Sequence, residues 1–216
     1  MMAPAQAASR VPPAFVQPHA EARRLSALRQ ESESCERCDL YKNATQTVFG
    51  DGAQAARVML VGEQPGDRED IAGRPFVGPA GKLLDECLHE AGVDRSLCYV
   101  TNAVKHFKFE PRGKRRIHAK PSAGEVQRCA WWLGGELDVL RPDLVVALGA
   151  TALYSLMGRS VGLNKERGHI LKTSSGLHLL VTIHPSFLLR IHDHQDRDAE
   201  RARFVDDLRS ITHYLK

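Results

Sequence analysis

Apolar residues in this chain fall into short unbroken runs, and helical spacing fills the stretches between them. Val58-Met59-Leu60-Val61, Cys98-Tyr99-Val100, Leu144-Val145-Val146-Ala147-Leu148 and Leu179-Leu180-Val181-Thr182-Ile183 are continuous rather than alternating. That is the pattern of strands covered on both faces. Residues 79–91 place Leu83, Leu84, Cys87, Leu88 and Ala91 on one helical face, and Gly92 follows as a stop signal. Residues 122–140 open with Ser122 and Glu125 at capping-box spacing and carry Val126, Trp132, Leu133 and Leu137 inward. A charged helix is expected over residues 19–34 and a last one over 198–215. Strand–helix alternation of this kind predicts an α/β fold, a three-layer sandwich around a central, mainly parallel four-stranded sheet.

Length and charge narrow the class. The 216 residues suit one compact domain. Residues 1–18 hold Pro4, Pro12, Pro13 and Pro18 and are expected to form a flexible tail, leaving 19–216 as the single domain. No stretch approaches the roughly 20 apolar residues of a membrane helix. The first residues have no hydrophobic signal core, which predicts a cytoplasmic, nucleoid-associated protein, although an Ala-rich, Arg-bearing start also suits a mitochondrial presequence. A net charge of +4 barely favours nucleic acid by itself. No oligomer signal stands out, so a monomer is expected.

Ligands of such sheets sit at the carboxyl ends of the strands, and the unusual polar residues collect there. The first strand runs into Gly62-Glu63-Gln64-Pro65-Gly66-Asp67, whose glycines allow close backbone approach to a ligand. It is neither a Rossmann nor a Walker loop. Phe76, between glycines in 73–78, suits a stacking surface for a planar base. Asn102 follows the second strand, and its amide matches the edge of a pyrimidine. His184 follows the fourth, its backbone restricted by Pro185 and its imidazole thereby aimed. Residues 104–121 hold seven Lys and Arg against Glu110 alone, with Phe107 and Phe109 interleaved. Such a loop suits a phosphate backbone with unstacked bases.

Cys35, Cys38, Cys87, Cys98 and Cys129 make an odd set, so metal ligation or burial is expected rather than disulfides. Cys35 and Cys38 form one C-x-x-C pair without a second, which disfavours a zinc ribbon. Cys129 and His106 complete a four-ligand set that suits zinc or an iron–sulfur centre, and residue chemistry leaves both open.

Together these segments resemble the iron–sulfur uracil-DNA glycosylases related to family 4, and most closely their UdgX branch. The resemblance runs from about Cys35 to the last helix. It rests on GEQPGDREDIAGRPFVGPAGKLLD (62–85), YVTNAVKHFKF (99–109), GKRRIHAKPS (113–122), LGATA (148–152) and HPSFLLR (184–190). The Lys-Arg-Arg-Ile-His run marks the branch. The resemblance implies a uracil-DNA glycosylase-like fold and a [4Fe–4S] cluster on Cys35, Cys38, His106 and Cys129. Cys87 and Cys98 are left to the core. By the same resemblance Phe76 stacks on uracil flipped out of DNA, Asn102 reads its edge, and Gly62, Gln64 and Asp67 line the pocket. His184 stabilises the departing base. His118 captures the sugar as a covalent His–C1′ adduct after one turnover, helped by Glu63. Arg116 places the basic loop on phosphate, and Asp70 is a support. The implied partner is uracil-containing DNA, single strands preferred, with free uracil as product. The rival expectations are a hydrolytic glycosylase in which His118 only touches DNA, and a non-catalytic nucleic-acid-binding zinc protein.

Overall fold

A computed structural model describes residues 25–173 and 175–215. The proposed tail, the first part of the 19–34 helix and Lys216 lie outside the described residues. Four parallel strands form the centre: β2 (Val58–Gly62), β3 (Cys98–Asn102), β6 (Leu144–Leu148) and β8 (His178–Thr182). Two short antiparallel strands, β1 (Asp51–Gly52) and β7 (Ile170–Lys172), close the edges, so the order is β1-β3-β2-β6-β8-β7. The sheet therefore has six strands rather than four. Runs of two and three residues carry no readable periodicity, and only pairing with a neighbour makes them strands.

Alternation along the buried strands feeds two separate cores. Met59 and Val61 of β2 face one, which is covered by α1 (Leu25–Glu33), α4 (Ala123–Leu140) and α5 (Ala150–Met157). Val58 and Leu60 face the other, covered by α3 (Pro79–Glu90), α7 (Pro185–Leu188) and α8 (His194–Arg209). Each strand residue thus buries its side chain on one side or the other, which is why the runs are apolar throughout. Ser122 caps α4 with the expected reciprocal Glu125 bond. The last helix differs from expectation: α8 starts earlier, at an Asp193 cap, and ends at Arg209, before a separate turn, α9 (Thr212–Leu215).

The basic segment is not an open loop. It folds into a hairpin of β4 (Phe109–Arg112) and β5 (Arg115–His118), turning at Gly113 with φ 60°. A two-residue turn with a positive-φ glycine matches strand twist. Pro111, which has no N–H to give, is tolerated because this ribbon has only two strands. Two further short helices, α2 (Asp67–Ala72) and α6 (Leu163–Glu166), complete the set. The chain leaves β2 for β3 on one side and leaves β6 toward β8 on the other, and this switch point between β2 and β6 opens the crevice at the carboxyl ends.

Candidate active site

A cavity of about 1350 Å³ fills that crevice, and Glu63, Phe76, Asn102, His118 and His184 all line it. The sheet register begins the construction. Gly62 and Asn102 are opposite one another at the ends of β2 and β3. A Cβ on Gly62 would stand 2.4 Å from Asn102 Oδ1 and 2.7 Å from Phe76 Cζ. The glycine is therefore required by the approach of both an amide and an aromatic ring to one backbone position.

Phe76 sits at φ 57°, which a residue with a side chain adopts at a cost of about 1–3 kcal/mol. Two contacts hold it there. The Glu69 carboxylate accepts from Gly78 N at 2.6 Å and from Gly66 N at 3.1 Å, tying the Phe76 loop to the turn after β2. A Cβ on Gly81 would lie 1.7 Å from the Phe76 carbonyl oxygen, so α3 packs directly on the loop backbone. Glu69 was missed in the sequence, although its spacing from Gly66 is that of a capping box.

His184 caps α7, and its Nδ1 accepts from Ser186 N at 3.2 Å while pairing with Ser186 Oγ at 2.8 Å. Burial, with smaller contributions from Arg190 and His118, pushes its pKa down to about 4. The ring is thus neutral near pH 7. With Nδ1 accepting, the proton resides on Nε2 as a donor.

His118 ends β5 across from Phe109 and brings Nε2 to 3.3 Å from Glu63 Oε1. The other oxygen of Glu63 accepts a hydrogen bond from Thr151 Oγ1, on the first turn of α5. Thr151 stands in the LGATA segment (148–152) but drew no role from the sequence; only the fold carries it to Glu63.

Three predicted residues prove to be spent on the hairpin. Gln64 donates to the carbonyls of Lys108 and Ala119, each at 3.1 Å, and accepts from Lys108 N at 3.1 Å. It lines the cavity while clamping both ends of the hairpin to the turn after β2. Arg116 pairs with Asp67 at 2.6 Å and Asp70 at 2.5 Å, its guanidinium 5.4 and 5.1 Å from the ring centres of Phe107 and Phe109. Asp70 is fully buried and also accepts from Thr45 N and Oγ1. Arg116 and Asp67 therefore lock the hairpin against the start of α2.

Cys35, Cys38 and Cys129 lie in the core covered by α1, α4 and α5, all buried and unbridged. Trp132 Nε1 donates to Cys35 Sγ at 3.0 Å, and Lys105 N donates to Cys129 Sγ at 3.1 Å. Burial pushes the Cys129 thiol up to about 12. His106 is also buried but pairs through Nε2 with Thr47 Oγ1 at 3.0 Å, and burial lowers its pKa. Among the described residues, no three His, Cys, Asp or Glu side chains converge as ligands of one ion. Cys87 and Cys98 are buried in the core, as expected.

Residues 49–209 match the family model described as the uracil DNA glycosylase superfamily. The chain belongs to that superfamily. Among relatives of this uracil-DNA glycosylase superfamily member, a type-4 uracil-DNA glycosylase of Thermotoga maritima is 36% identical over 194 residues, covering 89% of this chain and 95% of that protein. One from Pyrobaculum aerophilum is 37% identical over 191 residues, 85% of this chain and 91% of the relative. A type-5 enzyme of the same organism is 32% identical over 152 residues, 61% and 62% of the two chains. The superfamily fold and the cavity at the strand ends thus agree.

Proposed function

We propose that this protein excises uracil from DNA and then captures the resulting sugar on His118. The observation that carries the reading is the convergence of Phe76, Asn102 and His184 in one cavity with the His118–Glu63 pair. A base in a duplex must be extruded to reach such a pocket, at roughly a few kcal/mol. Phe76 offers it a ring face, and the Asn102 amide offers a donor and an acceptor for its edge. Phe187 and Leu189, exposed at the cavity rim, supply an apolar wedge for the gap left in the stack.

Bond cleavage sends the electron pair of the C1′–N1 bond onto uracil. The neutral His184 donates Nε2–H toward that developing charge, as a donor already aimed before the bond breaks. The vacated C1′ then takes the lone pair of a His118 nitrogen, and the imidazolium so formed passes a proton to Glu63. Gln64, Arg116 and Asp67 act by holding the hairpin that carries His118. The UdgX assignment rests on this Lys-Arg-Arg-Ile-His hairpin, and preference for single strands agrees with the cost of extrusion from a duplex.

The cysteine region fits an iron–sulfur cluster. Three buried sulfurs are available, two of them receiving N–H bonds of the kind that stabilise thiolates. A cluster takes each ligand on a different iron, so its ligands need not converge as those of a single zinc must. Cys35, Cys38 and Cys129 would hold a [4Fe–4S] centre, with His106 as fourth ligand once its ring leaves Thr47. The cluster would supply structure, pinning the segment that follows Asn102.

Purified protein is incubated with labelled single-stranded uracil DNA and run on a denaturing gel beside His118→Ser. A heat-stable shifted band in wild type only is the expected result. Free abasic DNA from both would make the protein a hydrolytic glycosylase. Stoichiometric iron and sulfide, lost in Cys129→Ser, tests the cluster separately.

A further inference from the structure

We propose that Thr151 is a positioning residue that commits Glu63 to His118 and so decides between capture and hydrolysis; this rests on the covalent reading above. Glu63 is the first residue past β2 and its side chain is partly exposed. A glutamate in such a place has several rotatable bonds and a choice of partners. Here both oxygens are assigned: Oε1 faces His118 Nε2 at 3.3 Å, and Oε2 accepts from Thr151 Oγ1.

The two partners differ in rigidity. His118 lies at the end of a two-stranded ribbon and is half exposed. Thr151 is buried, and the helix it opens is tied to the central sheet. Gly149, at φ 93°, donates its N–H to Thr182 O at 2.9 Å, and a Cβ there would meet His184 Cβ at 3.1 Å. The hydroxyl therefore holds Glu63 from the fixed side of the cavity, at one step from the residue that aids base departure.

Two nucleophiles compete for the vacated C1′. In capture, a His118 nitrogen lone pair forms the N–C1′ bond, and the imidazolium gives a proton to Glu63. In hydrolysis, a water oxygen lone pair forms the O–C1′ bond, and that water gives its proton to the same carboxylate. In both, the electron pair of the broken bond has left with uracil. A carboxylate fixed by Thr151 serves the imidazole. Released from the hydroxyl, it can turn to a water.

The test compares wild type, Thr151→Val and Thr151→Ser in single-turnover reactions on uracil DNA, measuring released uracil and denaturation-resistant adduct in the same samples. The readout is adduct formed per uracil released, which a general loss of folding or binding leaves unchanged. The expected ratio is close to one for wild type and Thr151→Ser, and at least tenfold lower for Thr151→Val, with the balance as free abasic DNA. An undiminished ratio in Thr151→Val overturns the proposal, however slow the variant. So does a Thr151→Ser ratio as low as that of Thr151→Val. Uracil release without adduct in wild type itself would instead sink the His118 reading, and the role of Thr151 with it.

Discussion

The rings of Phe76 and His184 stand 6.1 Å apart, centre to centre, with their planes inclined by 28°. Phe76 comes from the loop between α2 and α3, and His184 from the end of β8. A stacking face and an imidazole donor thereby share one wall of the cavity, although 108 positions of chain, by the difference of their numbers, separate them.

Gly62→Ala should abolish most uracil excision without unfolding the sheet. The added Cβ meets Asn102 Oδ1 and Phe76 Cζ well inside contact distance, so both groups must shift. A misplacement of about 1 Å at a reacting centre costs on the order of 10²-fold. Single-turnover kinetics should show that loss, with a near-native melting temperature. Full activity would show that the pocket accommodates the methyl group and that the tight approach is incidental.

The pH dependence follows from His184. Its native pKa of about 4 lies below the ordinary 6.5, so the unfolded chain binds more protons between those values. Its contribution to stability is complete above about pH 6.5 and declines as the pH falls toward 4. Nitrogen NMR of the ring should report a neutral Nε2–H form at pH 6 and titration near 4. A charged ring at pH 6 would remove the argument that it acts as a neutral donor.

Lys105 and Glu136 form a fully buried ion pair at 2.6 Å, with Lys105 Nζ also donating to the Asn102 carbonyl at 2.9 Å. Glu136 further accepts from Tyr99, Thr101 and Gly50 N. Lys105→Met leaves that carboxylate without its cation and should cost about 3–5 kcal/mol. Urea unfolding measures it. Adding Glu136→Gln should recover part of the loss, and a single variant of wild-type stability would mean that the pair is dispensable.

Arg116→Ala should free the hairpin. The guanidinium links β5 to Asp67 and Asp70 and covers Phe107 and Phe109. Amide hydrogen exchange across residues 109–118 should rise at least tenfold, with adduct formation falling more than uracil release. Unchanged exchange would assign the bracing to Gln64.

Much of this was legible in the chain because it depends on local rules. The four central strands, the Ser122 cap of α4 and the clustering of Glu63, Asn102 and His184 at strand ends follow from apolar runs and their boundaries. The edge strands were not legible, since two or three residues define no period. The basic segment was readable as chemistry but not as a hairpin, because β4 and β5 pair with each other and bury no alternating face.

By itself, then, the sequence determined the layered α/β architecture and the identity of the polar groups on its rim, because periodicity and strand termini are properties of neighbouring residues. Only the tertiary structure decided who holds whom. Gln64 and Arg116 turn out to brace the hairpin, Glu69 joins two loops, and Thr151 meets Glu63 across 88 positions. Hydrogen bonds and ion pairs act over about 3 Å in space whatever the separation along the chain, so these partnerships exist only after the sheet has brought its strand ends together.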